Sequence, residues 1–315
     1  MDTLRHPGTP ASGTHCALSS LLALRQLAAT IDLATPRRAA RSPGGSAPSR
    51  LRGRGLEFEE FRAYAAGDDV RAIDWRVSAR TGRVHTRLFR TERERPVLLL
   101  CDQRAAMFFG SRSAMKSVQC AHATALLGWA AIAGGDRVGG MVLGPDTHHE
   151  VRPRRSHRAL LAFLQRVAEA NGRLSVDSPQ DQGMGLAAAL AGLRRVARPG
   201  ALVFLLSDFH DWDAECSVQL RLLGEHVDLH GIRVHDAMEE SLPAAGSARF
   251  GDGLRNLFVD TRDPALRAAF ARRAESCAGE LAAAFSAARA RLTALRTGET
   301  AAAVLGRCYA ERARR

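Results

Sequence analysis

Val97-Leu98-Leu99-Leu100-Cys101-Asp102 is a run of five apolar residues closed by a carboxylate. A short continuous apolar run of this kind, bounded by polar residues, is expected as a central strand buried on both faces. From Pro96 onward the pattern alternates strands with helices, which predicts a mostly parallel sheet covered by helices on both faces. Strands are expected at 97–101, 137–143, 149–152, 201–206 and 227–234, with helices at 116–132, 157–170, 185–197 and 214–223. A last strand is expected at 254–260. Residues 264–293 read as one long helix with its proline at the start.

Upstream of this α/β region the pattern is less regular. Residues 1–16 mix Pro, Gly, Ser and Thr with little apolar content and read as a disordered lead. Residues 18–33 carry leucines at helical spacing and predict one amphipathic helix, ended before Pro36. Residues 36–50, with prolines and glycines among arginines, read as a flexible basic connector, and 84–90 as a strand. Between them lies Gly67-Asp68-Asp69, a turn signal because glycine tolerates positive φ and aspartate bonds its own backbone. Asp68, Asp69 and Asp74 alternate with Arg62, Arg71, Arg76 and Arg80 around Trp75, a pattern expected of an ordered polar network with Asp74 and Trp75 buried. The competing reading is a solvated loop whose ion pairs are each worth under about 1 kcal/mol. The expected organisation is therefore a lead (1–16), an N-terminal helix, linker and motif region (17–95), and an α/β domain with long C-terminal helices (96–315).

A formal charge of +12 and a pI near 10.8 raise the question of nucleic acid. Lys116 is the sole lysine among 45 basic residues, and alanine is abundant, the mark of a GC-rich genome rather than of selection for binding. Two tyrosines and three tryptophans leave few platforms on which bases could stack, so nucleic acid is not expected as a partner. The six cysteines have no metal or disulfide spacing and read as small buried hydrophobes. No segment reaches the roughly 18 apolar residues of a membrane span, and no leader pattern is present. A cytoplasmic location is expected.

The order Glu57-Phe58, Arg62, Tyr64, Gly67-Asp68-Asp69-Val70-Arg71, Ile73-Asp74-Trp75, Ala79-Arg80, then Asp102, Phe109-Gly110 and Lys116-Ser117, resembles domain-of-unknown-function family 58. Those are bacterial proteins similar to von Willebrand factor A domains that often accompany MoxR-type AAA+ ATPases. The resemblance covers about residues 50–310. It implies a von Willebrand factor A-like fold and a protein-docking role beside a MoxR-type ATPase and further von Willebrand factor A-like proteins, in the maturation or assembly of a client. It also implies a metal-ion-dependent adhesion site, built from Asp-x-Ser-x-Ser after the first strand, a threonine from a second loop and an aspartate after a later strand.

Asp102 and Asp208 stand at the carboxyl ends of two expected central strands, where open α/β sheets bind ligands. The first loop, Asp102-Gln103-Arg104-Ala105-Ala106, lacks both serines, and the loop around Gly183-Met184-Gly185 offers no threonine. A vestigial site is expected, in which Arg104 neutralises Asp102 and Asp208 in place of Mg²⁺, with no cofactor and no catalytic residues. The enzymatic alternative is a metal-assisted hydrolase using the two aspartates, or a nucleotide-binding protein using Gly110 to Ser117. That loop misses a P-loop by one residue, since Met115 replaces the glycine before Lys116; Ser113 is then expected as a helix cap and Lys116 as an exposed first-turn residue. Asp211 and Asp213 are expected exposed, making the strand-end face acidic toward a basic partner. His148, His149, His226, His230 and His235 fall on or beside expected strands, and ordinary hydrogen bonding is preferred over a metal site for them.

Overall fold

Both faces of the strand Pro96–Asp102 are buried: Val97, Leu99 and Cys101 enter one core, Leu98 and Leu100 the other. Alternate side chains of a strand point to opposite faces, so a continuous apolar run demands a covered sheet. The computed structural model describes residues 11–33, 56–64, 70, 73–91, 95–178, 183–251 and 256–309. In chain order the elements are α1 (Leu18–Ala23), α2 (Arg25–Ala28), β1 (Leu56–Ala63), α3 (Trp75–Thr81), β2 (His85–Thr91), β3 (Pro96–Asp102), α4 (Lys116–Ala133), β4 (Arg137–Leu143) and β5 (His148–Arg154). They continue with α5 (His157–Gly172), α6 (Leu186–Val196), β6 (Leu202–Ser207), α7 (Ala214–Gly224), β7 (Asp228–His235) and α8 (Ala237–Glu240). The last are β8 (Ser247–Gly251), β9 (Asn256–Asp260), α9 (Pro264–Ala287), β10 (Arg291–Arg296) and α10 (Ala301–Cys308). The chain divides into two compact units, Met1–Thr35 with Arg95–Arg315, and Pro36–Glu94.

The larger unit is built on a six-stranded sheet of order β10-β7-β6-β3-β4-β5, parallel except for β5, which runs antiparallel to β4. One face is covered by α1, α2, α4, α5 and α10, the other by α6, α7 and α9. From Lys116 to Ala131, α4 is buried at nearly every position, as a helix apolar around its circumference must be. Gly140 pairs with Leu99, and a Cβ there would lie 1.9 Å from the Leu99 carbonyl oxygen. Only glycine lets β4 approach β3 at that point.

Residues 11–33 belong to this unit: 11–16 are ordered here rather than part of a disordered lead, and 17–33 do not join the motif region with which the sequence grouped them. Gly13 N donates to Ser113 O (2.8 Å), and Cys16 N to Asn171 Oδ1 (2.7 Å). The single helix expected at 18–33 is two short ones. They lay Leu21, Leu24 and Ala28 into the core with α4, and Trp129 Nε1 donates to Leu21 O (3.1 Å). The long C-terminal helix also needs correction. It ends at Ala287, Arg289 takes a left-handed φ of 55°, and β10 follows as the edge strand beside β7. The strand expected at 254–260 exists, but it pairs with β8 in a separate antiparallel ribbon. Cys277 and Cys308 are exposed, against expectation, while the other four thiols are buried and all six are free. Among the described residues no helix is long and apolar enough to cross a membrane.

The smaller unit contains the antiparallel pair β1–β2, with a bulge between Phe58 and Glu60, and α3. Asp74 is buried and caps α3, its Oδ1 accepting from Arg76 N and Val77 N (both 3.0 Å). Asp74 N donates to His85 O (2.9 Å), and His85 N to Ser78 Oγ (2.9 Å), which ties the helix to β2. Trp75, expected buried, is 66% exposed. The Asp74 side chain turns inward to cap, and the next residue, about 100° further round the helix, turns outward.

Candidate functional site

The chain leaves β3 for β4 on one side and returns later to β6 on the other, so the carboxyl ends of β3 and β6 flank the topological switch point where doubly wound sheets bind ligands. Asp102 closes β3, fully buried, and accepts from Arg104 N (3.0 Å), Arg104 Nε (2.9 Å), Arg104 Nη2 (2.7 Å) and Ser207 Oγ (2.6 Å). The far side of the same guanidinium meets Asp211: Nη1 to Oδ2 at 2.6 Å, Nη2 to Oδ1 at 2.9 Å. Asp211 Oδ2 also accepts from Leu186 N (3.0 Å) at the start of α6. Burial pulls the Arg104 pKa down, but Asp102 and Asp211 outweigh it and raise it above the usual arginine value. Burial likewise pushes Asp211 up, and Arg104 more than offsets this, leaving it below the ordinary carboxylate range.

A second cation holds the other strand-end aspartate. Lys116, the first residue of α4, is only 2% exposed; its Nζ donates to Asp208 Oδ2 (2.6 Å) and Glu239 Oε1 (2.5 Å), with the Phe109 ring centroid 5.8 Å away. The left-handed Phe209 (φ 57°) turns the chain after β6, and Asp208 Oδ1 accepts from His210 N (3.0 Å) in an aspartate turn. Glu239 Oε2 accepts from Asp236 N (2.9 Å), half of a capping box on α8. Asp236 itself accepts from Ser111 N (2.8 Å), Met238 N (2.9 Å), and the hydroxyls of Ser111 and Thr297. Burial raises the Asp236 pKa, but these bonds win and hold it at about 2.

The expected neutralisation of the strand-end acids by a protein cation is present with different partners. Arg104 pairs Asp102 with Asp211, while Asp208 goes to Lys116, a residue expected to be exposed. These residues do not fit a bound Mg²⁺. Such an ion wants open oxygen donors in octahedral geometry, whereas the Asp102 and Asp208 oxygens face a guanidinium and an ammonium, and Ser207 Oγ is spent on Asp102. Asp211, expected exposed, is 31% exposed at its side chain and engaged by Arg104; only Asp213 is exposed, and it caps α7 through Cys216 N (2.7 Å).

Gly110 to Ser117 does not form a phosphate cradle, because the Lys116 side chain turns into the protein. Met115, not Ser113, holds the cap position of α4. His230 Nε2 is 3.0 Å from Asp228 Oδ1 and its Nδ1 2.7 Å from the Tyr309 hydroxyl, the ordinary hydrogen bonding expected of it. His235 Nε2 lies 2.9 Å from Glu240 Oε1. Among the described residues no group of three or more His, Cys, Asp or Glu side chains could hold a metal. In the motif, Asp74 is buried as expected and Arg80 is exposed, while Gly67, Asp68, Asp69 and Arg71 lie outside the described residues. Glu239, Asp236 and Ser207 were not singled out from sequence; the Asp-x-x-Glu capping spacing of Asp236 and Glu239 was the available signal.

The family described as "Protein of unknown function DUF58" matches residues 60–278. The uncharacterized proteins Rv1480 of Mycobacterium tuberculosis and Mb1516 of Mycobacterium bovis are each 29% identical over 266 residues, covering 83% of this chain and 81% of theirs. Among solved structures, the conserved hypothetical protein BatB from Bacteroides thetaiotaomicron aligns with a TM-score of 0.42 at 12% identity, over 68% of this chain and 96% of its own. A von Willebrand factor type A protein from Catenulispora acidiphila aligns with a TM-score of 0.41 at 15% identity, over 73% of this chain and 45% of its own.

Proposed function

The chain belongs to the family of proteins of unknown function DUF58, and from that premise we propose that it is a non-enzymatic docking scaffold. Its partner in this reading is a MoxR-type AAA+ ATPase, with further von Willebrand factor A-like proteins, acting in the cytoplasm on the assembly or maturation of a client complex. Trp75 carries the reading. At 66% exposure it presents a large rigid aromatic surface on a helix anchored by the buried Asp74. Tryptophan is the side chain most enriched among residues that dominate binding energy, and Phe61, Tyr64, Val70 and Val84 of the same unit are exposed as well. The strand-end face supports a docking role over turnover of an external substrate, because its carboxylates are already engaged by Arg104 and Lys116.

The test is titration of the immobilised ATPase encoded by the same genome with wild-type chain and Trp75→Ala. The variant should melt with wild type and bind at least tenfold more weakly, a loss of about 1.4 kcal/mol or more. Equal affinity would remove Trp75 from the interface, and absence of wild-type binding would remove the partner.

A further inference from the structure

We infer that Lys116 and Asp208 are the reactants of a self-catalysed condensation, with Glu239 as the proton carrier, which leaves an intramolecular amide between α4 and the end of β6. The inference is independent of the docking role. Three observations bring the reactants together. The only lysine of the chain is buried, with Nζ 2.6 Å from Asp208 Oδ2 and 2.5 Å from Glu239 Oε1. Glu239 is held in place from behind, since its Oε2 accepts from Asp236 N (2.9 Å). Asp208 Oδ1, the oxygen away from the amine, accepts from His210 N (3.0 Å).

The step balances without a co-reactant. The ammonium passes one proton to Asp208 Oδ2, and the freed lone pair of Nζ attacks Cγ of the neutral acid while Glu239 takes a second proton from the nitrogen. Negative charge gathers on Oδ1, where the His210 N–H stabilises it as an oxyanion donor does. The Cγ–Oδ2 bond breaks, and Oδ2 leaves as water with two of the three ammonium hydrogens, one of them relayed through Glu239. The third stays on the amide nitrogen, Oδ1 becomes the amide carbonyl, and Glu239 is regenerated. In water an ammonium and a carboxylate do not condense, because both charged forms are well solvated. Here burial works against the charged form of each partner, although the mutual attraction keeps Lys116 raised and Asp208 lowered. Proton exchange within the pair gives the neutral amine and acid without separating charge. Fixed proximity supplies the rest, since oriented intramolecular reactions reach effective molarities of about 10⁵–10⁸ M.

Intact mass of the denatured full-length protein decides the bond. The expected mass is one water below that of the sequence, with a branched peptide joining the segments around Lys116 and Asp208 after proteolysis. Because Lys116 is the sole lysine, an amine-acylating reagent applied after unfolding should then modify only the α-amine. Sequence mass, with Lys116 acylated, overturns the proposal and needs no variant to do so. Glu239→Gln keeps the side-chain shape and should show sequence mass while retaining the wild-type circular dichroism. The crosslink forming in that variant as completely and as fast as in wild type would overturn the role assigned to Glu239.

Discussion

Arg104 and Lys116 each hold two carboxylates, and in a buried site removing one charge strands the others. Arg104→Ala leaves Asp102 buried with Ser207 and one backbone amide as its partners. The expected cost is about 3–5 kcal/mol, read as a lower urea midpoint at unchanged m-value. The same residues set the acid limit of the fold. Asp236, held at about 2, and Asp211 have folded pKa values below that of the unfolded chain, near 3.9 for aspartate. Their stabilisation is therefore complete above about pH 4 and is lost as the pH falls toward 2, because the unfolded state binds protons first. Circular dichroism at fixed temperature should show a flat plateau from neutral pH to about 5, then a steep loss. The strand-end aspartates and the intrusion of Arg104 were legible in the sequence, since both follow from where a strand stops. The pairing was not: Arg104 meets Asp211 across 107 positions, and Lys116 meets Glu239 across 123.

The short helix α3 shows how a local rule and a tertiary one divide the work. Asp74 is legible as a cap, because an aspartate before a helical segment accepts the orphaned amide protons of its first turn. Asp74→Ala should cost about 1–2 kcal/mol, and Asp74→Ser should recover much of it. Melting curves of the two variants check this, and equal destabilisation by both would show that the charge matters more than the cap. Trp75 was misread because apolar area argues for burial only when a neighbouring element covers it. At the other end of the chain, residues 264–293 satisfy helical spacing throughout. Even so, α9 stops at Ala287, and Arg291–Arg296 lies along β7. Its backbone bonds are made to a strand whose pairing no local pattern records.

Residues 36–94 form a unit of their own, inserted between the helices that cover α4 and the strand that starts the sheet. Arg95 marks the return point. Its Nη2 donates to Leu33 O and its Nε to Asp136 Oδ2 (3.2 Å), so the chain ends bordering the insert meet within the larger unit. Replacing residues 36–94 by a short Gly/Ser linker should leave a cooperatively folding α/β unit, checked by a single unfolding transition that coincides by fluorescence and circular dichroism. In the docking reading the same deletion abolishes ATPase binding. Sequence alone determined the α/β class, the positions of β3, β4, β6 and β7, and the placing of Asp102 and Asp208 at strand ends. Apolar runs and helical spacing are local, and they commit a segment to strand or helix whatever its neighbours are. Only the tertiary structure decided the sixth strand, the membership of residues 11–33, the exposure of Trp75, and the division of five carboxylates between two cations and a ring of hydroxyl and amide donors. Each of those depends on which distant surface arrives to cover a side chain or answer a charge, and burial and Coulomb energy act through space rather than along the chain.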